Sequence, residues 1–250
     1  MRDVAGLPLV NGKGIPAVTR SQMAEVDRIA VEEFGLGLLQ MMENAGLWLA
    51  ETVRRFLDGS VAGRRVVIAS GKGNNGGGGL AAARRLSFWG SAVTVLLIQP
   101  PESLAPGPAA QLRILQRSGT PVQPFNGTLP PHDLLVDALV GYNLRGALSG
   151  VLAATVEAMN DSPAGVVALD LPSGVDADTG TAQGAAIRAT ATVTLALPKS
   201  GLLAEPGREY VGQLLLADIG IPQDAYRLAS IAVPAGVFSR GPLVRLQTQM

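Results

Sequence analysis

The chain contains no cysteine, which excludes disulfides, thiolate nucleophiles and cysteine-ligated metals. Its single histidine, His132, rules out a multi-histidine zinc site within one chain. Aromatic residues make up 4%, and Lys plus Arg equals Asp plus Glu at 20 each. Such totals suggest neither a nucleic-acid face nor a polybasic membrane patch. No run approaches the ~18 to 20 apolar residues that a bilayer span requires, and the first residues lack the apolar core of a secretory signal. The expectation is a cytoplasmic protein with neither membrane nor nucleic acid as partner. Zero formal net charge, with many apolar residues, favours an oligomer.

What is present is apolar and glycine-rich. Hydrophobic residues are 47% and charged residues 16% of 250, enough for a sizeable core with buried parallel strands. No linker or charge run divides the chain, so one α/β domain is expected over residues 19–222. Residues 1–18 read as an irregular arm and residues 223–250 as a C-terminal extension of the same domain. Thr19 and Gln22 have capping-box spacing, and Met23, Val26, Ala30 and Phe34 form a helical stripe behind them. A second helix is predicted over residues 38–57, with Glu43 and Asn44 set in an otherwise apolar stretch. There they either face water or brace the glycine-rich segment that follows.

That segment organises the rest. The apolar run Val66-Val67-Ile68-Ala69 stops at Ser70-Gly71-Lys72-Gly73-Asn74-Asn75-Gly76-Gly77-Gly78-Gly79, and helix formers begin at Leu80. This reads as strand, loop, helix, the phosphate-facing half of a βαβ unit. Gly71, Gly73 and Gly76 satisfy a G-x-G-x-x-G fingerprint, yet the next predicted strand ends in Gln99, where a nicotinamide dehydrogenase carries an acid. A tight strand-to-helix connection would explain one or two of these glycines but not six, so the loop is expected to cradle a ligand.

Two further apolar runs, over residues 132–139 and 165–169, end near Asp137 and in Asp170. In open α/β sheets ligands collect at the carboxyl ends of strands, so acids placed there are candidates for chemistry. Asp137, Asp170, Ser173 and Asn75 form an oxygen donor set suited to a hard cation, potassium or magnesium. Asp176 and Asp178 read instead as turn caps. Ser173 lacks a G-x-S-x-G setting, and Gly79 is followed by Leu80 rather than a P-loop lysine, which disfavours serine hydrolysis and phosphoryl transfer. Lys199, in a Pro-Lys-x-Gly setting, has a reading as a phosphate contact or general acid, ahead of His132.

Six ordered motifs carry a resemblance. These are Met42-Glu43-Asn44-Ala45-Gly46, Gly71 to Gly77, Val136-Asp137-Ala138-Leu139-Val140-Gly141, Asp170-Leu171-Pro172-Ser173-Gly174-Val175-Asp176, Leu197-Pro198-Lys199-Ser200-Gly201-Leu202 and Ala217-Asp218-Ile219-Gly220-Ile221-Pro222. Together they resemble the NAD(P)H-hydrate epimerase family, also called the YjeF N-terminal domain family. The resemblance implies a Rossmann-like three-layer αβα sandwich with a mainly parallel sheet, often dimeric. It implies an epimerase that interconverts the R and S forms of NADHX and NADPHX, the hydrated nicotinamide cofactors, in metabolite repair.

Carried over by motif, potassium would sit at Asn75, Asp137 and Ser173. The substrate would lie against Asn74, Asn75, Gly76, Gly77 and Gly78, against Gly141, Tyr142, Asn143, Leu144, Arg145, Gly146 and Ala147, and against Asp170. Asp170 is expected to donate and accept the proton and Asp137 to hold the ion, although these roles could be exchanged. The family reads Asp where this chain has Gly78, and Gly-Thr-Gly where it has Gly141-Tyr142-Asn143. The alternative expectation is therefore a non-catalytic nucleotide- or protein-binding member of the same fold.

Overall fold

The computed structural model describes residues 6–247; the first five residues of the expected arm and the last three of the expected extension lie outside it. Among the described residues nine strands make one sheet. They are β1 (Leu9–Asn11), β2 (Arg65–Ser70), β3 (Ala92–Leu97), β4 (Val122–Pro124), β5 (Leu134–Ala138), β6 (Val166–Leu169), β7 (Ala191–Leu195), β8 (Gln213–Ala217) and β9 (Leu243–Gln247). Their spatial order is β1-β9-β8-β7-β6-β5-β2-β3-β4, parallel throughout except between β8 and β9. From β2 the chain winds to β3 and β4 on one side, then returns to β5 and continues to β8 on the other. The crevice between the carboxyl ends of β2 and β5 is thus the topological switch point, where such sheets bind ligands.

The described residues also form eight α-helices: α1 (Arg20–Glu32), α2 (Leu38–Phe56), α3 (Asn74–Phe88), α4 (Pro106–Arg117), α5 (Gly150–Asn160), α6 (Ser200–Leu203), α7 (Glu205–Val211) and α8 (Gln223–Leu228). Strand alternation sorts the core into two layers. Val66 and Ile68 of β2 and Val136 of β5 join Val26, Leu49, Leu80 and Leu112 from α1 to α4 on one face. Val67, Ala69 and Leu135 join Val156 and Met159 of α5 on the other. The α/β architecture is the one expected, and α1 opens on the expected capping box, with Gln22 N–H donating to Thr19 Oγ1 at 3.2 Å.

Two expectations are corrected. Residues 76–79 are not loop: α3 begins at Asn74, and all four glycines are buried in its first turns. A Cβ on Gly76 would fall 1.9 Å from the Gly71 carbonyl oxygen, and one on Gly79 2.5 Å from Ala138 Cβ. Close approach of α3 to the sheet and to Met42 therefore requires glycine along this run, and tertiary packing overrides its poor helix propensity. Secondly, part of the expected irregular arm forms β1, and the expected C-terminal extension supplies α8 and β9. Farther along the arm, Val18 N–H donates to Pro198 O at 2.9 Å and Ser200 N–H to Val18 O at 2.9 Å, a parallel bridge beside Lys199.

The crossing of α2 over α3 explains the polar pair in α2. A Cβ on Gly46 would meet Ala81 Cβ at 2.6 Å and Gly78 O at 2.9 Å, so only glycine lets the two helices touch. At this crossing Glu43 is a brace: it accepts hydrogen bonds from Arg84 and, at 2.7 Å, from Arg85 of α3, and at 2.9 Å from Gln111 Nε2 of α4. Asn44 Nδ2 donates to Ile219 O at 3.0 Å. Desolvation raises the Glu43 carboxyl, but the Gln111 and Arg84 hydrogen bonds and the charges of Arg84 and Arg85 outweigh it and hold its pKa below 4.5. A depressed pKa contributes stability above the unfolded value and loses it as pH falls through the folded one. Glu43→Gln is therefore expected to cost on the order of 2 kcal/mol in urea unfolding at pH 7, and the deficit should shrink as pH falls below 4.5.

Candidate active site

The cavity at the switch point has a volume of about 430 Å³. Met23 and Asp27 of α1 and Leu38, Met41, Met42 and Ala45 of α2 form one wall, and Lys72, Gly73, Asn74 and Asn75 form the lip above β2. Gly141, Tyr142 and Asn143 after β5, Asp170 after β6, and Lys199 after β7 complete it. The N-terminus of the 15-residue helix α3 opens at the lip, where its free amide groups suit an anion. Two buried polar atoms on lining side chains, Asn75 Nδ2 and Gln99 Oε1, have no partner among the described residues. Buried polar atoms are normally satisfied by protein or water, so both belong to the polar part of the lining.

The chemical centre is the Asp170–Lys199 ion pair. Lys199 is 1% exposed, and its Nζ donates to Asp170 Oδ1 and, at 2.9 Å, to the carbonyl of Leu195. Asp170 Oδ2 accepts the Tyr142 backbone N–H at 3.3 Å. The local backbone aims these groups. Asp170 and Ala196, the residues just beyond the carboxyl ends of β6 and β7, have φ +67° and +64°. Each is spanned by a short bond, from Leu171 N–H to Leu169 O at 2.9 Å and from Leu197 N–H to Leu195 O at 2.7 Å. These are γ-turns of the strained hand, side by side on paired strands. Strain of this kind persists where surrounding structure enforces it and concentrates at functional sites.

Asp137 lies apart from the cavity. Strand alternation puts it with Leu135 and Leu139 on the α5 face, wholly buried. Its carboxylate accepts Ser173 N–H and Ser173 Oγ–H, each at 2.7 Å, and Leu139 N–H at 3.1 Å. Burial pushes its pKa up to about 6 against these hydrogen bonds, and no basic side chain contributes. Asn75 lies on the cavity side, where its Oδ1 and Asp170 Oδ2 both lie near the Cβ position of Gly141. Beside Asp137, an isolated buried carboxylate, the Ser173 hydroxyl, which also reaches the Val140 carbonyl at 3.2 Å, adds oxygen of the kind that suits one hard monovalent cation. Among the described residues no group of three or more His, Cys, Asp or Glu side chains gathers to hold a metal.

The structure thus brings Asn74, Asn75, Gly141, Tyr142, Asn143 and Asp170 around the cavity and sets Asp137 and Ser173 behind it. Gly76, Gly77 and Gly78 are inside α3, and Leu144, Arg145, Gly146 and Ala147 are not among the lining residues. Asp176 caps its own turn, accepting Thr179 N–H at 2.9 Å, and pairs with Arg20 at 2.7 Å. His132 is tied to Pro130 O and Ser162 Oγ, each at 2.7 Å, just before the amino end of β5 and remote from the cavity. Asp27 escaped the reading of the sequence. Its signal was a carboxylate four residues after Met23, on the buried side of α1.

A doubly wound, mainly parallel sheet with a cavity at its switch point and an acid–amine pair in the cavity lining defines an α/β protein built to act on a small molecule. The family described as "YjeF-related protein N-terminus" matches residues 38–201, and the chain belongs to it. An NAD(P)H-hydrate epimerase of Dehalogenimonas lykanthroporepellens is 42% identical over 94% of each chain. Another from Levilactobacillus brevis is 36% identical over 82% of this chain and 94% of its own. The bifunctional NAD(P)H-hydrate repair enzyme Nnr of Moorella thermoacetica is 43% identical over 82% of this chain, which spans only 41% of that longer protein. The crystal structure of yeast ynu0 shares the fold, with TM-score 0.79 and 24% identity over 93% of this chain and all of that one.

The space at position 78 is already filled. A Cβ there would lie 2.7 Å from Leu169 Cδ2 and 3.6 Å from Ala45 Cβ. An acid at this position would displace the residue that precedes Asp170 and bury a charge. Gly78→Asp is accordingly expected to lower stability by about 1–3 kcal/mol in urea unfolding, with no gain in turnover.

Proposed function

We propose that the protein is an NAD(P)H-hydrate epimerase that interconverts the R and S forms of NADHX and NADPHX. The observation that carries this reading is the buried Asp170–Lys199 pair facing a cavity whose lip is the N-terminus of α3. The full-length likeness to NAD(P)H-hydrate epimerases supports it. In this reading the α3 amides and Lys72 take the pyrophosphate, and the hydrated ring sits between Tyr142 and Asp170. Asp170 exchanges the proton that accompanies loss and return of hydroxide at the carbon beside the ring nitrogen. Lys199 keeps its carboxyl oriented, and the apolar wall of Met23, Met41 and Met42 limits the water that reaches the ring.

Potassium, in the same reading, is held by Asp137, Ser173 and Asn75 and would supply the positive charge that the buried Asp137 carboxylate lacks. A homodimer is proposed as well; its support is the apolar surface at Val31, Phe34, Leu38 and Leu39, each 38–45% exposed, where α1 meets α2. No described helix is long and apolar enough to cross a membrane.

Purified protein supplied with one NADHX epimer, with R and S then separated by chromatography, is expected to reach the epimer mixture well ahead of the spontaneous rate. Potassium should raise both that rate and the melting temperature relative to a buffer of bulky organic cations. An unaccelerated reaction with retained nucleotide binding would identify a binding protein instead. Asp170→Asn is expected to reduce kcat by ~10²–10⁴-fold with little change in KM, the loss that follows removal of a positioned proton-transfer group.

A further inference from the structure

Inversion at a ring carbon makes separate demands on the two faces of the ring. The hydroxyl leaves one face of the ring and returns to the other, and a ring held in a fixed pose presents those faces to different walls. Inverting glycoside hydrolysis solves the same problem with two carboxyl groups set apart on either side of a sugar. In this cavity Asp170 is one such group, and a second carboxyl, Asp27, lines it too.

Tyr142 links the two. Its phenol donates to Asp27 Oδ2 at 2.6 Å, while its backbone N–H donates to Asp170 Oδ2 at 3.3 Å. The carboxyls therefore stand a tyrosine side chain apart, with Lys199 Nζ 5.7 Å from the centre of the ring between them. Asp27 differs from its neighbours on α1. Glu25, Glu32 and Glu33 are exposed and pair with Arg28, whereas Asp27 is partly buried and has a phenol, not a cation, as its hydrogen-bond partner. The groups that face it are Tyr142, Lys199 and Asp170 from the loops beyond β5, β7 and β6, and Tyr226 of α8. Desolvation raises its pKa, with Asp170 adding to the rise and the Tyr142 hydrogen bond and Lys199 opposing it, so it holds a proton more readily than an exposed carboxyl does. Two carboxyls in unlike surroundings form the arrangement that divides acid from base.

We propose that Asp27, oriented by Tyr142, is the second proton-carrying group of the site and serves the ring face opposite the one served by Asp170. The proposal rests on the epimerase reading. In one direction the Asp27 proton passes to the departing hydroxyl oxygen. The C–O bond breaks as the ring-nitrogen lone pair forms a C=N bond, and water is released. A water on the other face then adds to the carbon, the C=N pair returns to nitrogen, and the proton of that water passes to the Asp170 carboxylate. One C–O bond is broken and one made, no electron is gained or lost, and the resulting protonation state is the one that runs the reverse inversion. Further turnovers in the same direction exchange these protons with solvent at the cavity mouth.

The test follows both epimers in H₂¹⁸O by chiral chromatography and mass spectrometry, with the uncatalysed rate subtracted. The unsubstituted protein should incorporate one ¹⁸O per inversion. Asp27→Asn should invert ~10²-fold or more slowly, yet still exchange oxygen without inversion in one epimer only, the one whose hydroxyl faces Asp170. Tyr142→Phe keeps the ring beneath Lys199 and removes one hydrogen bond to Asp27. It should lower kcat about tenfold with KM within twofold, and move a limb of the pH–rate profile to higher pH. Inversion by Asp27→Asn within threefold of the unsubstituted rate overturns the proposal. So does a loss of inversion and exchange together in both epimers, and so does a Tyr142→Phe profile that does not move. Failure of the unsubstituted protein to invert either epimer overturns the epimerase reading and this inference with it.

Discussion

The ion pair between Asp170 and Lys199 is the interaction on which the rest of the architecture depends. Both groups are withdrawn from water, and a buried charge deprived of its partner is among the most costly defects a fold can carry. Two adjacent parallel strands must therefore end in register and turn in the same strained manner. β6 and β7 do so, through Asp170 and Ala196. The close approach of α3 to the sheet and of α2 to α3 then walls the pair in on one side.

Legibility in the sequence follows the range of the forces involved. The buried strands and the acids at their ends are written in local patterns, apolar runs that stop at Asp137, Asp170 and the segment after Ser70. The helix start at Asn74 is not, because four consecutive glycines argue against a helix until the surfaces they must meet are known. Those surfaces belong to Met42, Leu169 and Ala138, far away in the chain. β1 is equally hidden, since it is short and owes its place to β9, more than two hundred residues distant. Of the candidate site, the motif residues that lie on loops were legible. Asp27 was not, because a single acid on a helix looks like surface until Tyr142 is seen against it.

The same set of motifs divides into two layers of different character. Asn75, Tyr142 and Asp170 border open space and can meet a ligand. Asp137 and Ser173 form a closed, hydrogen-bonded layer on the opposite face of the sheet. A motif shared by both layers thus combines residues that touch a small molecule with residues that hold the strand ends in place. The turn that follows Asp170 contributes to each: the acid faces the cavity, and Ser173, three residues later, fastens to Asp137 behind it.

The bridge that Val18 makes with Pro198 and Ser200 has a consequence for traffic. It fastens the entrance of α1 to the backbone on both sides of Lys199, and the Arg20–Asp176 pair adds a second fastening one turn away. The wall that carries Met23 and Asp27 is thereby a fixed jamb rather than a door. The opposite rim is formed by Lys72, Gly73, Asn74 and Asn143, all exposed, and is tied down chiefly by the 3.3 Å bond from Ala105 N–H to Lys72 O. The glycine lip is therefore the less fastened side of the cavity, and the wall that carries Met23 and Asp27 the more fastened one.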